Sequence, residues 1–430
     1  MSEMKGLRLM VTPSPARVDD PPSIVVSGCR PGQTVTIRAL MRDGLARQWA
    51  SQAVFEADGG GTVDVARQRP VTGTYTDTDA RGLLWSMRLV DGQTAGLLTS
   101  AAPLETEFVA ESDGMPPTTV AVTRYFAAPD VSQTAVRDHG LVATFFRPAG
   151  TTPRPAVIVV PGSGGGVPEP SAALLASHGF AGLALAYFRA EHLPQSLAEI
   201  PLEYFERAIQ WLREQAAVGD QPIGIMGGSR GGELALLLGA TFPEFKAVVG
   251  NVPSGIVHAG ISGGGLEETY RRPAWTYRGQ PVPFLSSRNV GQMEAAPVTA
   301  EPLPLTPIFL RAMQDREAVE AAMIPVERIN GPVLLISGQD DQMWPSPVLA
   351  EIAMKRLAEH NFRFPYKHLS YPGAGHVIGQ PGMPSTVTAS LHPLAGRWLA
   401  FGGNPKDNAA AAADSWPKVV AFFRDALKAR

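Results

Sequence analysis

The stretch from Pro222 to Gly239, PIGIMGGSRGGELALLLG, constrains the fold more than any other part of the chain. A short apolar run stops at Gly227 and Gly228. Ser229 and Arg230 follow, then Gly231 and Gly232, then an apolar run of Leu and Ala with helical character. Apolar runs of strand length without polar alternation suit strands buried on both faces. A buried strand that turns at once into an apolar helix is half of a βαβ unit. Such a strand needs parallel neighbours, which the rest of the chain has to supply.

Those neighbours follow Pro129. GLVATFFRP, RPAVIVVPGSGGG, AGLALAY, FKAVVGNVP, GPVLLISG and FRFPYKHLSYP read as strands. SAALLASHGF, LEYFERAIQWLREQA and PVLAEIAMKRLAEH read as helices between them. In the second helix Tyr204, Ala208, Trp211 and Leu212 share a face, while Glu203, Glu206 and Arg213 lie elsewhere. Trp416, Val420, Phe423 and Leu427 repeat at helical spacing near the C-terminus, a stripe suited to packing against the sheet. The rhythm predicts an α/β domain over residues 131–430, with a mostly parallel sheet and helices on both faces. Only residues 251–330, rich in Gly and Pro, break it. That irregular insertion reads either as a lid that shapes a site or as a segment packed on the surface.

Residues 1–130 have a different texture. PSIVVSG, QTVTIRALMR, WASQAVFEAD, GTVDVAR, GLLWSMRLV and LETEFVAES read as short strands with Gly, Pro and Asp at their ends. Val35, Ile37 and Ala39 alternate with Thr34, Thr36 and Arg38. The pattern predicts an immunoglobulin-like antiparallel β-sandwich domain with hardly any helix.

Composition narrows the partners. The charged residues nearly cancel, with a net charge of -3, so nothing favours nucleic acid or an anionic membrane surface. No apolar run is long enough to span a membrane. The single cysteine, Cys29, excludes an intrachain disulfide. The N-terminal MSEMKGLRLMVTPSPARVDD lacks the apolar core of a signal peptide, and DALKAR carries no peroxisomal address. The sequence therefore predicts a soluble cytoplasmic protein. No zinc spacing and no G-x-G-x-x-G loop occurs, so neither metal nor cofactor is expected. The oligomeric state is left open.

The chemistry centres on Gly227-Gly228-Ser229-Arg230-Gly231, a G-x-S-x-G match with a strand before it and a helix after it. That is the context of the nucleophile elbow in the α/β-hydrolase fold. A serine hydroxyl needs a base oriented by an acid, and hydrolases of this fold supply them in the order Ser, Asp or Glu, His. GPVLLISGQDDQMWP places Asp340 and Asp341 just past a buried strand, and Asp341 has the better spacing. HLSYPGAGHVIG places His376 on a loop after the last strand. The expected triad is Ser229, Asp341 and His376, with Asp340 left to turn or cap duty. The oxyanion hole is expected from the Arg230 amide and from Ser163 or Gly164 in the VIVVPGSGGG loop.

Beyond these spacings, TGTYTDTDARGLLWSM, GSGGGVPEPSAALLASHGFAGLALAYF, IPLEYFERAIQWL, GGSRGGELAL, IPVERINGPVLLISGQDDQMWPS and YPGAGH run through nearly the whole chain. On these motifs the chain resembles the acyl-CoA thioesterase / bile acid-CoA:amino acid N-acyltransferase family. The resemblance implies an N-terminal β-sandwich followed by an α/β-hydrolase domain. It implies an acyl-CoA-like thioester as substrate and carries the triad onto Ser229, Asp341 and His376. Family members that conjugate amino acids resemble a cysteine-elbow type, and the hydrolases a serine-elbow type. Serine at position 229 therefore points to thioester hydrolysis. The alternatives are a carboxylesterase or lactone hydrolase with the same triad, an amino acid N-acyltransferase, and a non-catalytic binding or scaffold protein. Arg271 and Arg272 are equally suited to CoA phosphates and to a solvated surface.

Overall fold

In the computed structural model, residues 6–90, 100–262, 271–286 and 301–428 are described. The chain divides into two compact units, one of residues 1–126 and 379–387, the other of residues 127–378 and 388–430.

The first unit is built on two sheets. One pairs Arg8–Thr12 with Ser23–Ser27, and Ser23–Ser27 with Thr62–Asp64. In the other, Met115–Tyr125, Leu104–Ser112, Thr34–Arg42 and Gln48–Glu56 lie side by side and antiparallel. The expected alternation is present, with Val35, Ile37 and Ala39 fully buried. One expectation fails here. GLLWSMRLV is a strand only at Arg88–Leu89, which pairs antiparallel with Gln48–Glu56, whereas Gly82–Trp85 forms a helical turn with all of its residues buried. The turn packs where a Cβ on residue 82 would lie 2.1 Å from the Tyr75 ring. Trp85 Nε1 donates to Asp79 at 2.7 Å. These contacts override the β propensity of the run. Residues 379–387 join this unit through Ser385 and Thr386, which hydrogen-bond to the Trp85 and Met87 carbonyls.

The second unit holds an eight-stranded sheet. Its strands are β1 (Ser132–Val136), β2 (Val142–Arg147), β3 (Ala156–Val160), β4 (Ala181–Ala186), β5 (Ile223–Gly228), β6 (Phe245–Asn251), β7 (Val333–Gly338) and β8 (Tyr366–Tyr371). Their spatial order is 1-2-4-3-5-6-7-8. β1 and β2 pair antiparallel at one edge, and from β4 onward every pairing is parallel. β3, β4 and β7 are buried at every position, as their unbroken apolar runs require.

The main helices are α1 (Glu169–Ser177), α2 (Glu203–Glu214), α3 (Arg230–Thr241), α4 (Ser346–Glu359) and α5 (Pro405–Ala426). They cover both faces of the sheet, as β5 demonstrates. A Cβ on Gly224 would lie 2.8 Å from Phe423 of α5, and one on Gly227 would lie 2.1 Å from the Gly231 carbonyl of α3. Positions an odd number apart in a strand face opposite ways, so the two helices lie on opposite faces. Helix α5 starts well before its apolar stripe, because Asn404 caps it by accepting from the Asp407 amide at 3.0 Å. This is the α/β-hydrolase fold.

The insertion is described in part. Its residues 263–270 and 287–300 lie outside the described residues. The described parts carry two short helices, Thr306–Ala312 and Arg316–Ala322, and a small sheet in which Trp275–Tyr277 pairs with Ile200–Pro201. Among the described residues no helix is long and apolar enough to cross a membrane.

Candidate active site

Ser229 stands at the junction of β5 and α3 with φ 57° and ψ -123°. A positive φ is rare for a residue with a side chain and costs energy that the surroundings must hold in place. The Ser229 amide donates to the Asn251 carbonyl at 2.8 Å, and its carbonyl accepts from Gly232 and Glu233 at 2.8 and 3.0 Å. Strand and helix approach so closely at Gly227 and Gly231 that no side chain fits between them. The strained turn presents Oγ at the C-terminal end of the sheet.

His376 follows β8 and is 9% exposed. Its amide donates to the Phe401 carbonyl at 2.8 Å, and its ring stacks on Phe401 with centroids 6.2 Å apart. Asp341 follows β7 and is 5% exposed. The Asp341 oxygens lie 3.0 and 2.9 Å from His376 Nδ1. The carboxylate also accepts from the Met343 and Trp344 amides at 3.0 and 3.3 Å. Because the carboxylate only accepts, Nδ1 carries the proton and Nε2 presents a lone pair. Nε2 lies 2.9 Å from Ser229 Oγ. The three residues named from spacing thus form one hydrogen-bonded chain. Asp340 lies outside it, its Oδ2 accepting from the Gly403 amide at 2.9 Å.

The loop after β3 reaches the same place. A Cβ on Gly162 would lie 3.3 Å from Ser229 Cβ and 3.0 Å from the Gly228 carbonyl. Gly165 and Gly166 use their amides inside the protein, on the Gly162 and Phe188 carbonyls at 3.1 and 3.2 Å. The amides of Ser163, Gly164 and Arg230 donate to no acceptor among the described residues. The sequence names the same three residues as candidate oxyanion donors, and Arg230 is the first residue of α3, where amides lack helical partners.

A buried ionic cluster lies beneath the elbow, and although its Arg230 and Glu233 stand within GGSRGGELAL, the pattern does not show that they pair. The Arg230 guanidinium pairs with Glu233 at 2.9 Å and donates to the His258 carbonyl at 2.9 Å. Glu233 also accepts from Trp275 Nε1 at 2.9 Å. Burial pushes the Glu233 carboxyl up to about 7, against the pull of Arg230. Burial and the Arg230 charge hold His258 well below the ordinary histidine range. His258 packs against Phe309 and Trp344, and Trp344 lies edge-on to His376 with centroids 6.1 Å apart. A second unforeseen residue is His392, which the sequence places past the last strand with no motif around it. Its Nε2 lies 2.9 Å from Ser163 Oγ. Arg272, one of the two arginines weighed for CoA phosphates, pairs with Glu199. Among the described residues no group of three or more His, Cys, Asp or Glu side chains could hold a metal ion.

A hydrogen-bonded Ser-His-Asp chain and free amides at one end of the sheet suit acyl transfer, and comparison with known proteins narrows the lineage. Residues 200–429 match the family described as BAAT / Acyl-CoA thioester hydrolase C terminal. Residues 19–138 match its partner, the Acyl-CoA thioester hydrolase/BAAT N-terminal region. The mitochondrial acyl-coenzyme A thioesterase 2 of Mus musculus is 34% identical over 95% of this chain and 87% of its own length. The peroxisomal succinyl-coenzyme A thioesterase of Mus musculus is 34% identical over 94% of this chain and 93% of its own. Among solved structures, a puromycin-hydrolyzing peptidase of Mycobacterium tuberculosis aligns with a TM-score of 0.44 at 16% identity, covering 94% of this chain and 54% of that one. Matched in both of its parts and over nearly its whole length, the chain belongs to the BAAT/acyl-CoA thioester hydrolase family.

Proposed function

We propose that the protein hydrolyses acyl-CoA-type thioesters to the free acid and CoA through an acyl-Ser229 intermediate. The observation that carries this reading is the hydrogen-bonded chain from Ser229 through His376 to Asp341 at the elbow. His376 Nε2 takes the Ser229 proton as Oγ attacks the thioester carbonyl carbon. The carbonyl π electrons move onto oxygen, and the amides of Arg230 and of Ser163 or Gly164 hold the oxyanion. When the carbonyl re-forms, the C–S bond breaks and the sulfur leaves with the proton from His376. Water then enters, gives a proton to His376 and attacks the acyl carbon. Ser229 recovers its proton as the free acid departs. Asp341 stays ionised throughout and stabilises the imidazolium.

The names of the relatives support a CoA thioester over an oxygen ester. Serine at the elbow supports water over an amine as the acceptor. The lone Cys29, with no partner for a disulfide, supports a cytoplasmic setting. The test is kcat/KM for an acyl-CoA and for the p-nitrophenyl ester of the same acid. A higher value for the thioester is expected, and a strong preference for the oxygen ester would make this a carboxylesterase. Adding glycine or taurine should yield no conjugate by mass spectrometry.

A further inference from the structure

His392 is a second histidine beside the reaction centre, and its hydrogen bonds fix where its proton sits. The Leu394 and Ala395 amides donate to Nδ1 at 3.3 and 3.1 Å. An amide N–H can only donate, so Nδ1 is unprotonated and the neutral ring carries its proton on Nε2. Nε2 faces Ser163 Oγ at 2.9 Å. The imidazole therefore donates and the Ser163 oxygen accepts. The Ser163 proton is left over, and no acceptor takes it among the described residues.

Ser163 belongs to the loop whose Gly162 packs on the nucleophile. That loop is braced, since Arg189 donates to the Gly164 carbonyl at 2.9 Å. Burial, the Arg189 charge and the His376 charge together push His392 down to about 4. The geometry points to Ser163 as a further catalytic residue: its side-chain hydroxyl, distinct from its amide, donates to the oxyanion formed at the acyl carbon, and His392 is the positioning residue that leaves that proton free. The inference rests on Ser229 being the nucleophile.

The arrangement suits the chemistry in two ways. A hydroxyl that already accepts a hydrogen bond is polarised and donates a stronger one. In addition, His376 becomes positive as the oxyanion forms. A cationic His392 beside it would oppose that proton transfer, whereas a ring locked neutral by two amides does not.

The test compares Ser163→Ala, His392→Leu, His392→Gln, the Ser163→Ala/His392→Leu double variant and Ser229→Ala, each assayed for CoA release from an acyl-CoA. Ser163→Ala should lower kcat about 10- to 100-fold with KM little changed, because the oxyanion exists only beyond the ground state. His392→Leu should lose a similar factor, and the double variant no more than Ser163→Ala alone. His392→Gln, whose amide can donate in place of Nε2, should recover part of the loss. Ser163→Ala is conservative in size, so it carries the decision even if a His392 variant fails to fold. A Ser163→Ala enzyme within twofold of the parent, or one altered in KM alone, overturns the inference while loss of activity in Ser229→Ala keeps the hydrolase reading. Additive losses in the double variant overturn the role of His392. Full activity in Ser229→Ala overturns both the reading and this inference.

Discussion

His376 Nε2 lies 2.9 Å from Ser229 Oγ across 147 residues of sequence. The contact joins the turn after one strand to the loop after another, and both open at the C-terminal end of the sheet. Ligands of open α/β sheets bind at that end, because there the loops and helix N-termini converge. The relationship is therefore set by topology, and changes to the groups that hold it have predictable effects.

The two adjacent aspartates should behave very differently. Asp341→Asn offers His376 an amide that can fix the wrong tautomer, and kcat should fall by about 10⁴. Among the described residues the Asp340 side chain accepts from the Gly403 amide and not from His376, so Asp340→Asn should leave kcat nearly unchanged. Steady-state kinetics on an acyl-CoA checks both. Equal losses would mean that the loop holds the base as a unit.

The ion pair beneath the elbow should matter for stability. Glu233→Leu leaves the Arg230 guanidinium buried without its carboxylate and should cost about 3–5 kcal/mol in denaturant unfolding. Arg230→Met/Glu233→Leu removes both charges and should recover most of that loss. A Glu233→Leu protein as stable as the parent would show that water or a rearranged partner already compensates Arg230.

His392 gives stability a defined pH dependence. Folding depresses its pKa from 6.5 to about 4, so between those values the unfolded chain binds more protons than the folded one. Its contribution is complete above about pH 6.5 and is lost as pH falls toward 4, up to about 3 kcal/mol. His258 acts in the same direction, since burial also lowers its pKa. The parent should lose more stability between pH 7 and pH 4.5 than His392→Gln does, measured by thermal or denaturant unfolding. Parallel curves for the two proteins would place the acid sensitivity elsewhere.

The residues that sequence reveals are those bound by local geometry. The elbow needs glycines where strand and helix approach, and those glycines sit next to Ser229 in the chain. Asp341 and His376 each follow a recognisable strand, and that position singles them out in the sequence. His392, Glu233 and Trp275 carry no such signal. Their meaning comes from partners distant in sequence: Ser163 lies 229 residues from His392, and Trp275 lies 42 from Glu233. The Gly82–Trp85 turn escapes a reading by pattern for a related reason. Its run has β propensity, but burial against Tyr75 and the Asp79–Trp85 bond decide its shape.

Attack of Ser229 on a CoA thioester would show itself as released thiol. The most direct measurement is thiol release from acyl-CoAs of graded chain length, run on the purified parent and on Ser229→Ala. The parent should release thiol for at least part of the series, and Ser229→Ala should lose about 10⁴ or more of that rate at every active length. A Ser229→Ala protein that keeps most of the parent rate, or a parent that releases no thiol at any length, would contradict this mechanism.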